Sequence, residues 1–188
     1  MQLTYTGSHT YDDIITVAQI KEHLRVTHSL EDDLITAIRV AAVNYIENLC
    51  NVKLCSFTAV GHMPAFRSTV IPVGPVTAIT SVKYETDNAG TLATLAANNW
   101  HAATDVKPAR IAFSDYSEPF EFALEPVKVN MTVGYAQGTI PGTLIHAIRL
   151  LCAHMYENRQ DEVIGTVTSR LRLGIDSLVS GERIIINA

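Results

Sequence analysis

Ser29–Asn51, SLEDDLITAIRVAAVNYIENLCN, carries apolar residues at helical spacing along its whole length. Leu34, Ile38, Ala41, Tyr45 and Leu49 form the predicted stripe, and Ile35, Ala42 and Ile46 widen it. Ser29 is the predicted N-cap. Glu31, Asp32 and Asp33 follow, placing negative charge on the positive end of the helix dipole. Ala37, Ala41 and Ala42 are small enough to admit a second helix closely. A single amphipathic helix cannot bury its own stripe. The matching stretch is Pro141–Arg159, PGTLIHAIRLLCAHMYENR, where Leu144, Ile148, Leu151 and Met155 make a second stripe flanked by Ile145 and Cys152. Pro141 suits a first helical turn. The two helices are expected to pack together, with Leu34, Ile38, Tyr45, Leu49, Ile148, Leu151 and Met155 as the bundle core.

The chain between them then becomes an insertion, and its texture is that of strands. Cys55–His62 and Thr69–Ile71 read as short strands among Pro64, Pro72, Gly74 and Pro75. Val76–Glu85 is longer and β-branched, and Asp87-Asn88-Ala89-Gly90 supplies a turn that returns Thr91–Leu95 as its hairpin partner. Asn99–Ala103 and Arg110–Phe113 flank the Lys107-Pro108 turn. In Lys128–Tyr135, Val129, Met131, Val133 and Tyr135 share one face, with Val127 just before them. Strict alternation of this kind marks a strand with one buried face.

Working outward, residues 1–15 read as an extended arm. Thr16-Val17-Ala18-Gln19 has the spacing of a capping box and predicts a helix over about Val17–Arg25. In residues 161–188, glycines at 165, 174 and 181 argue against one long helix, and Arg183–Asn187 is strand-prone. Arg170 and Arg172 flank Leu171, so a strand there would put both arginines on one face. That pattern suits an ordinary amphipathic edge or a partner-binding tail. The expected class is α+β: a small helical bundle with an inserted antiparallel β domain and an extended C-terminal tail. Its expected parts are 1–51 (arm and bundle helices), 52–136 (β-rich insertion), 137–160 (the completing helix) and 161–188 (tail).

At 188 residues, 47% hydrophobic and 18% charged, the chain is large enough for one core and less charged than the usual ~25%. Fewer charges leave less surface that must stay wet, which favours a subunit of an assembly. The net charge of −5 sits mostly in residues 1–50, with three basic and seven acidic groups. No basic block marks a nucleic-acid footprint. The start, MQLTYTGSHTYDD, is polar and acidic and shows no export pattern. No apolar run approaches the ~20 residues of a membrane span. Cys50, Cys55 and Cys152, an odd set, read as reduced thiols.

Catalytic patterns are lacking. His146 and His154 are eight residues apart, about 12 Å along a helix, too far to share one metal ion. There is no HExxH, no His/Cys quartet, no phosphate-binding glycine loop and no GxSxG elbow. Cys50 and Cys152 fall on the apolar helices as small buried hydrophobes. The carboxylates at 31–33 serve a helix start. The expectation is no enzyme, no cofactor and no metal.

Four segments together resemble the head–tail connector (adaptor) proteins of tailed bacteriophages, of the long β-insertion type. ITVAQIKEHLRV followed by EDDLITAIRVAAVNYIENLC is similar to the opening helix pair of that family. VIPVGPVTAITSVKYETDNAG is similar to its proline-bearing strand, hairpin and D-x-x-G turn. VNMTVGYAQGTIPGTLIHAIRLLCAHMYENR is similar to a strand ending in GY before a Pro-initiated helix ending in YExR, and a short apolar tail follows. The likeness covers most of residues 16–160. It implies a structural head-completion protein of the virion neck, assembled in the host cytoplasm. It implies a ring, commonly of twelve subunits, bound to a portal and docking a stopper or tail-completion protein. Packaged DNA would pass through without sequence-specific binding, and no membrane is involved. The family's C-terminal segment reaches toward the portal, which implies partner contacts for Arg170, Arg172, Arg183, Ile184, Ile185 and Ile186. The alternatives are another neck or tail-completion subunit and, remotely, a small intracellular hydrolase or metal enzyme.

Overall fold

The structure, a computed structural model, describes residues 1–7, 10–116, 118–121, 123–159 and 168–186. In chain order its strands and helices are β1 (Gln2–Thr6), α1 (Val17–Leu24), α2 (Asp32–Cys50), β2 (Phe57–Met63), β3 (Thr69–Val70), β4 (Val76–Glu85), β5 (Leu92–Thr94), β6 (Trp100–Ala103), β7 (Arg110–Phe113), β8 (Val127–Val133), α3 (Gly142–Glu157) and α4 (Thr168–Val179). They divide into two units. The β unit is Met1–Ser8, Cys55–Tyr135 and Ile184–Ala188, and the helical unit is His9–Leu54 and Ala136–Arg183. The class is α+β, with antiparallel pairing throughout both sheets.

In the β unit, β8 is the central strand of a five-stranded sheet ordered β1-β2-β8-β4-β5. Val127, Val129, Met131 and Val133 are fully buried while the residues between them are half-exposed. That period of two fixes the register, because a one-residue slip would put the whole apolar set on the wrong face. Met131 stands opposite Ala59 on β2 and Ile79 on β4. Small residues make room beside it: a Cβ at Gly61 would lie 3.1 Å from Met131 Cε and 2.9 Å from Met1 Sδ. The β4–β5 hairpin closes as its turn residues require. Asp87 Oδ1 accepts from the backbone N–H of Ala89 and of Thr91, both at 3.0 Å, and Gly90 takes φ +76°. A second sheet, ordered β3-β7-β6, carries Ile111 into the same core.

The N-terminal segment departs from its expected form. Gln2–Thr6 is no free arm; it pairs antiparallel with Phe57–Met63, from Gln2 opposite His62 to Thr6 opposite Thr58. The first eight residues therefore group with the β unit and not with the bundle. Alternation in LTYT is too short to declare a strand without its partner in view.

In the helical unit, α1 begins with the capping box its sequence predicts. Thr16 Oγ1 accepts from the Gln19 N–H at 3.2 Å, and Gln19 Oε1 accepts from the Thr16 N–H at 2.9 Å. Thr16→Ala is expected to cost about 1 kcal/mol, read as a lower midpoint in denaturant unfolding. A midpoint equal to that of the unaltered protein would remove the cap's role.

The buried face of α2 is Ile35, Ile38, Ala42, Val43, Ile46 and Cys50. It packs against α3, which buries Leu144, Ala147, Ile148, Leu151 and Cys152. This face is turned about one residue from the expected stripe. Tyr45 is 39% exposed, Ala41 is exposed, and Leu34, Leu49 and Met155 are half-buried. The turned face keeps Ile35, Ile38 and Ile46 and gains Val43 and Cys50 in place of Ala41 and Tyr45, and each buried aliphatic side chain of the larger size contributes about 1.5–3 kcal/mol. The expected stripe would instead bury the Tyr45 hydroxyl, which needs a partner. The helix starts at Asp32, after Glu31, and Ser29 contributes its carbonyl, which accepts from the Asp32 N–H at 3.3 Å.

Candidate interaction surfaces

The helical unit is held by ionic contacts that begin at its helix ends. Glu31, just before α2, accepts from the Tyr156 hydroxyl and from Arg159 Nη2 at the end of α3. The Tyr156 hydrogen bond, then Arg159, hold the Glu31 carboxyl below its usual range, and the same bond raises the Tyr156 phenol. A depressed carboxyl contributes stability above its ordinary pKa and loses it as pH falls through the lowered value. All three groups meet water, so the effect is small. Lys21 Nζ donates to Asp32 Oδ1 at 2.6 Å, joining α1 to α2.

Two further contacts were not foreseen from the sequence. Arg39 is buried on α2, where Nη1 donates to Asp12 and to the Ile15 carbonyl, the latter at 3.2 Å. Glu47, also buried, accepts from Lys53 Nζ at 2.7 Å and from the Leu54 N–H at 2.8 Å. The available signal was position: Arg39 and Glu47 share the angular sector of Val43, Ile46 and Cys50, and a charge on an apolar face needs a partner.

The tail residues differ in their surroundings. Thr168–Val179 is helical, so the strand pattern expected for Arg170 and Arg172 does not form. The Arg170 and Arg172 side chains lie outside the described residues. Ile184 is buried in the β unit, with Cδ1 2.4 Å from where a Cβ on Gly74 would stand. Gly74 thus makes the notch that Ile184 fills, which occupies a side chain expected to meet a partner. Ile185 and Ile186 are 65% and 44% exposed, and Arg183 is exposed too. No strand forms over residues 183–186.

Among the described residues no group of three His, Cys, Asp or Glu side chains is placed to hold a metal ion, and no helix is long and apolar enough to cross a membrane. All three cysteines are buried thiols outside any disulfide. Burial pushes the Cys50 and Cys152 thiols up to about 11, so both are neutral at pH 7. A thiol reagent is expected to leave the folded protein unlabelled and to modify all three cysteines in denaturant. Rapid labelling of Cys50 or Cys152 in the native state would contradict their burial.

The fold defines an α+β protein whose polar groups brace packing, and what it offers to others is exposed apolar and charged surface. Residues 14–90 match the model of a family described as phage gp6-like head-tail connector protein. This agrees with the resemblance stated from the sequence. The whole chain is similar in fold to a chain in the neck of an empty gene transfer agent particle computed with C6 symmetry: TM-score 0.79, 24% identity, covering 100% of this chain and 98% of that one. It is similarly like a chain in the virion of the native gene transfer agent particle (TM-score 0.78, 24% identity, the same coverage). A third likeness is to a chain in the neck of the native particle computed with C12 symmetry (TM-score 0.76, 22% identity, 100% and 98% covered). No curated protein matches the sequence.

Proposed function

We propose that this chain is a head–tail connector of the adaptor type. Twelve copies form a closed ring in the virion neck, bound to a portal, extending the DNA channel and docking a stopper or tail-completion protein. The observation that carries this reading is the fold likeness to gene transfer agent neck chains over essentially the full length of both. The connector-family match over residues 14–90 supports it independently. The C6 and C12 symmetries of those necks support a ring, and the C12 symmetry suits twelve copies. The role is structural, without catalysis. The net charge of −5 suits a channel that DNA passes without base readout.

Assembly takes place in the host cytoplasm. Ring contacts are heterologous and close by rotation. Arg183 and the exposed Ile185 and Ile186 are the proposed portal-side contacts, together with Arg170 and Arg172.

Electron microscopy of purified particles is expected to place the chain in a ring directly beneath the portal. Native mass measurement of the portal complex should add roughly twelve times the 20.6 kDa chain. Density for this chain further down the axis would favour another neck or tail-completion subunit. Its absence from particles would overturn the reading.

A further inference from the structure

A shallow apolar groove of about 450 Å³ lies on the three-stranded sheet of the β unit. Val70, Ala102, Ala103 and Ile111 line it, with His101 and Arg110 at its polar margin. Arg110 and Arg67 are both exposed. Beyond the other end of β7 the chain turns acidic: Asp115, Glu118 and Glu121 are exposed, and Leu124 is 91% exposed. Among the described residues none of these five charged groups takes part in an ion pair. Residues 66–70 and 99–113 carry Arg67, Lys107 and Arg110 against Asp105 alone, whereas residues 114–126 carry four acids and no base.

Arg110 cannot reach the acidic set within a chain along β7, whereas Arg67 lies toward the Phe113 end by the β3–β7 register. Arg110 and Phe113 stand at opposite ends of that strand, about 10 Å apart, and the acidic residues lie beyond Phe113. The acidic side is anchored at its root. Tyr116 packs on Phe66 with ring centroids 4.7 Å apart, Phe66 packs on Phe113 at 5.3 Å, and the Phe120 N–H donates to the Glu85 carbonyl at 2.8 Å. An anchored, charged segment loses less entropy on docking than a free one.

We propose that the groove receives a second copy of this chain: Leu124 of one subunit enters it, and Glu118 and Glu121 of that subunit face Arg110 of its neighbour. A contact between unlike surfaces repeats from subunit to subunit and closes only as a ring. Opposite charges at the margin steer and register it, while the apolar floor supplies contact area. The proposal rests on the ring reading above and names the surfaces that build the ring.

The test uses the full chain carrying Ala112→Cys and Leu124→Cys, assembled into particles and oxidised. The expected result is a ladder of covalent multimers beyond the dimer, collapsed by reductant. Particles that contain the chain but yield only monomers or dimers overturn the groove contact and leave the neck role standing. A wild-type chain missing from particles overturns both. Should the cysteine pair block assembly, charge exchange decides. Arg110→Glu and Glu121→Arg are each expected to lower incorporation about tenfold, and the two singles mixed should restore it by alternating around the ring. Singles that incorporate normally, or a mixture no better than either single, overturn the proposal.

Discussion

Ile38→Asp with Ile148→Asp abolishes the cooperative folding of the helical unit, seen as loss of the helical far-ultraviolet signal and of slow amide exchange in α2 and α3. Ile148 is fully buried and Ile38 nearly so, on the facing sides of two helices that pack together. Replacing either by alanine would already cost about 2–5 kcal/mol through lost contact and cavity. A carboxylate adds the cost of leaving water without a partner. Two such changes approach the roughly 5–15 kcal/mol that a whole domain ordinarily has. The paired control is Tyr45→Ser, on the exposed side of α2, expected to move stability by less than about 1 kcal/mol in the isolated chain. Native stability in the double variant, or unfolding in the control, would mean the packed face has been assigned to the wrong side.

Glu47→Ala is the second large effect. The carboxylate is buried, and it satisfies both an ammonium and the backbone N–H of Leu54. Its removal strands that donor and leaves Lys53 with a half-buried charge, so the expected loss is about 2–3 kcal/mol. Glu47→Gln keeps an acceptor for the Leu54 N–H while removing the charge, and should lose about half as much. Asn48→Ala, one residue on and exposed, serves as the comparison and should stay within about 0.5 kcal/mol. Denaturant midpoints that do not separate positions 47 and 48 would deny Glu47 its bracing role.

Local periodicity was legible wherever one element carried its own pattern. The alternation from Val127 to Val133, the β-branched run at Val76–Glu85 and the Thr16–Gln19 capping box each formed where their residues indicated. What escaped depends on partners distant in sequence. Gln2–Thr6 is a strand because Phe57–Met63 offers it an edge. On α2 the widening residues Ile35, Ala42 and Ile46 proved to be the buried ones, and α3 covers them with Val43 and Cys50 in place of Ala41 and Tyr45. Thr168–Val179 is helical through Gly174, a residue that costs about 1 kcal/mol there; it is a short helix, not the one long helix the glycines argued against. Of the candidate contact residues, Ile184 illustrates the limit most clearly. An apolar tail reads the same whether it seeks a partner or a notch in its own chain, and only the nearness of Gly74 separates the two.

The division of the chain between its two units also sets an order of events during synthesis. Every strand of the five-stranded sheet lies within Gln2–Val133, so that sheet is complete in sequence before α3 begins at Gly142. The helical unit waits for residues from Ala136 onward, although α1 and α2 are among the first made. At about 5–20 residues per second, the face of α2 that α3 will cover stays uncovered on the ribosome for roughly 5–20 s. During that interval Ile35, Ile46 and Cys50 form an exposed sticky surface on the nascent chain, while the sheet can already close. The helical unit is thus finished late, and its production is the step that cooler expression or a holding chaperone would help most.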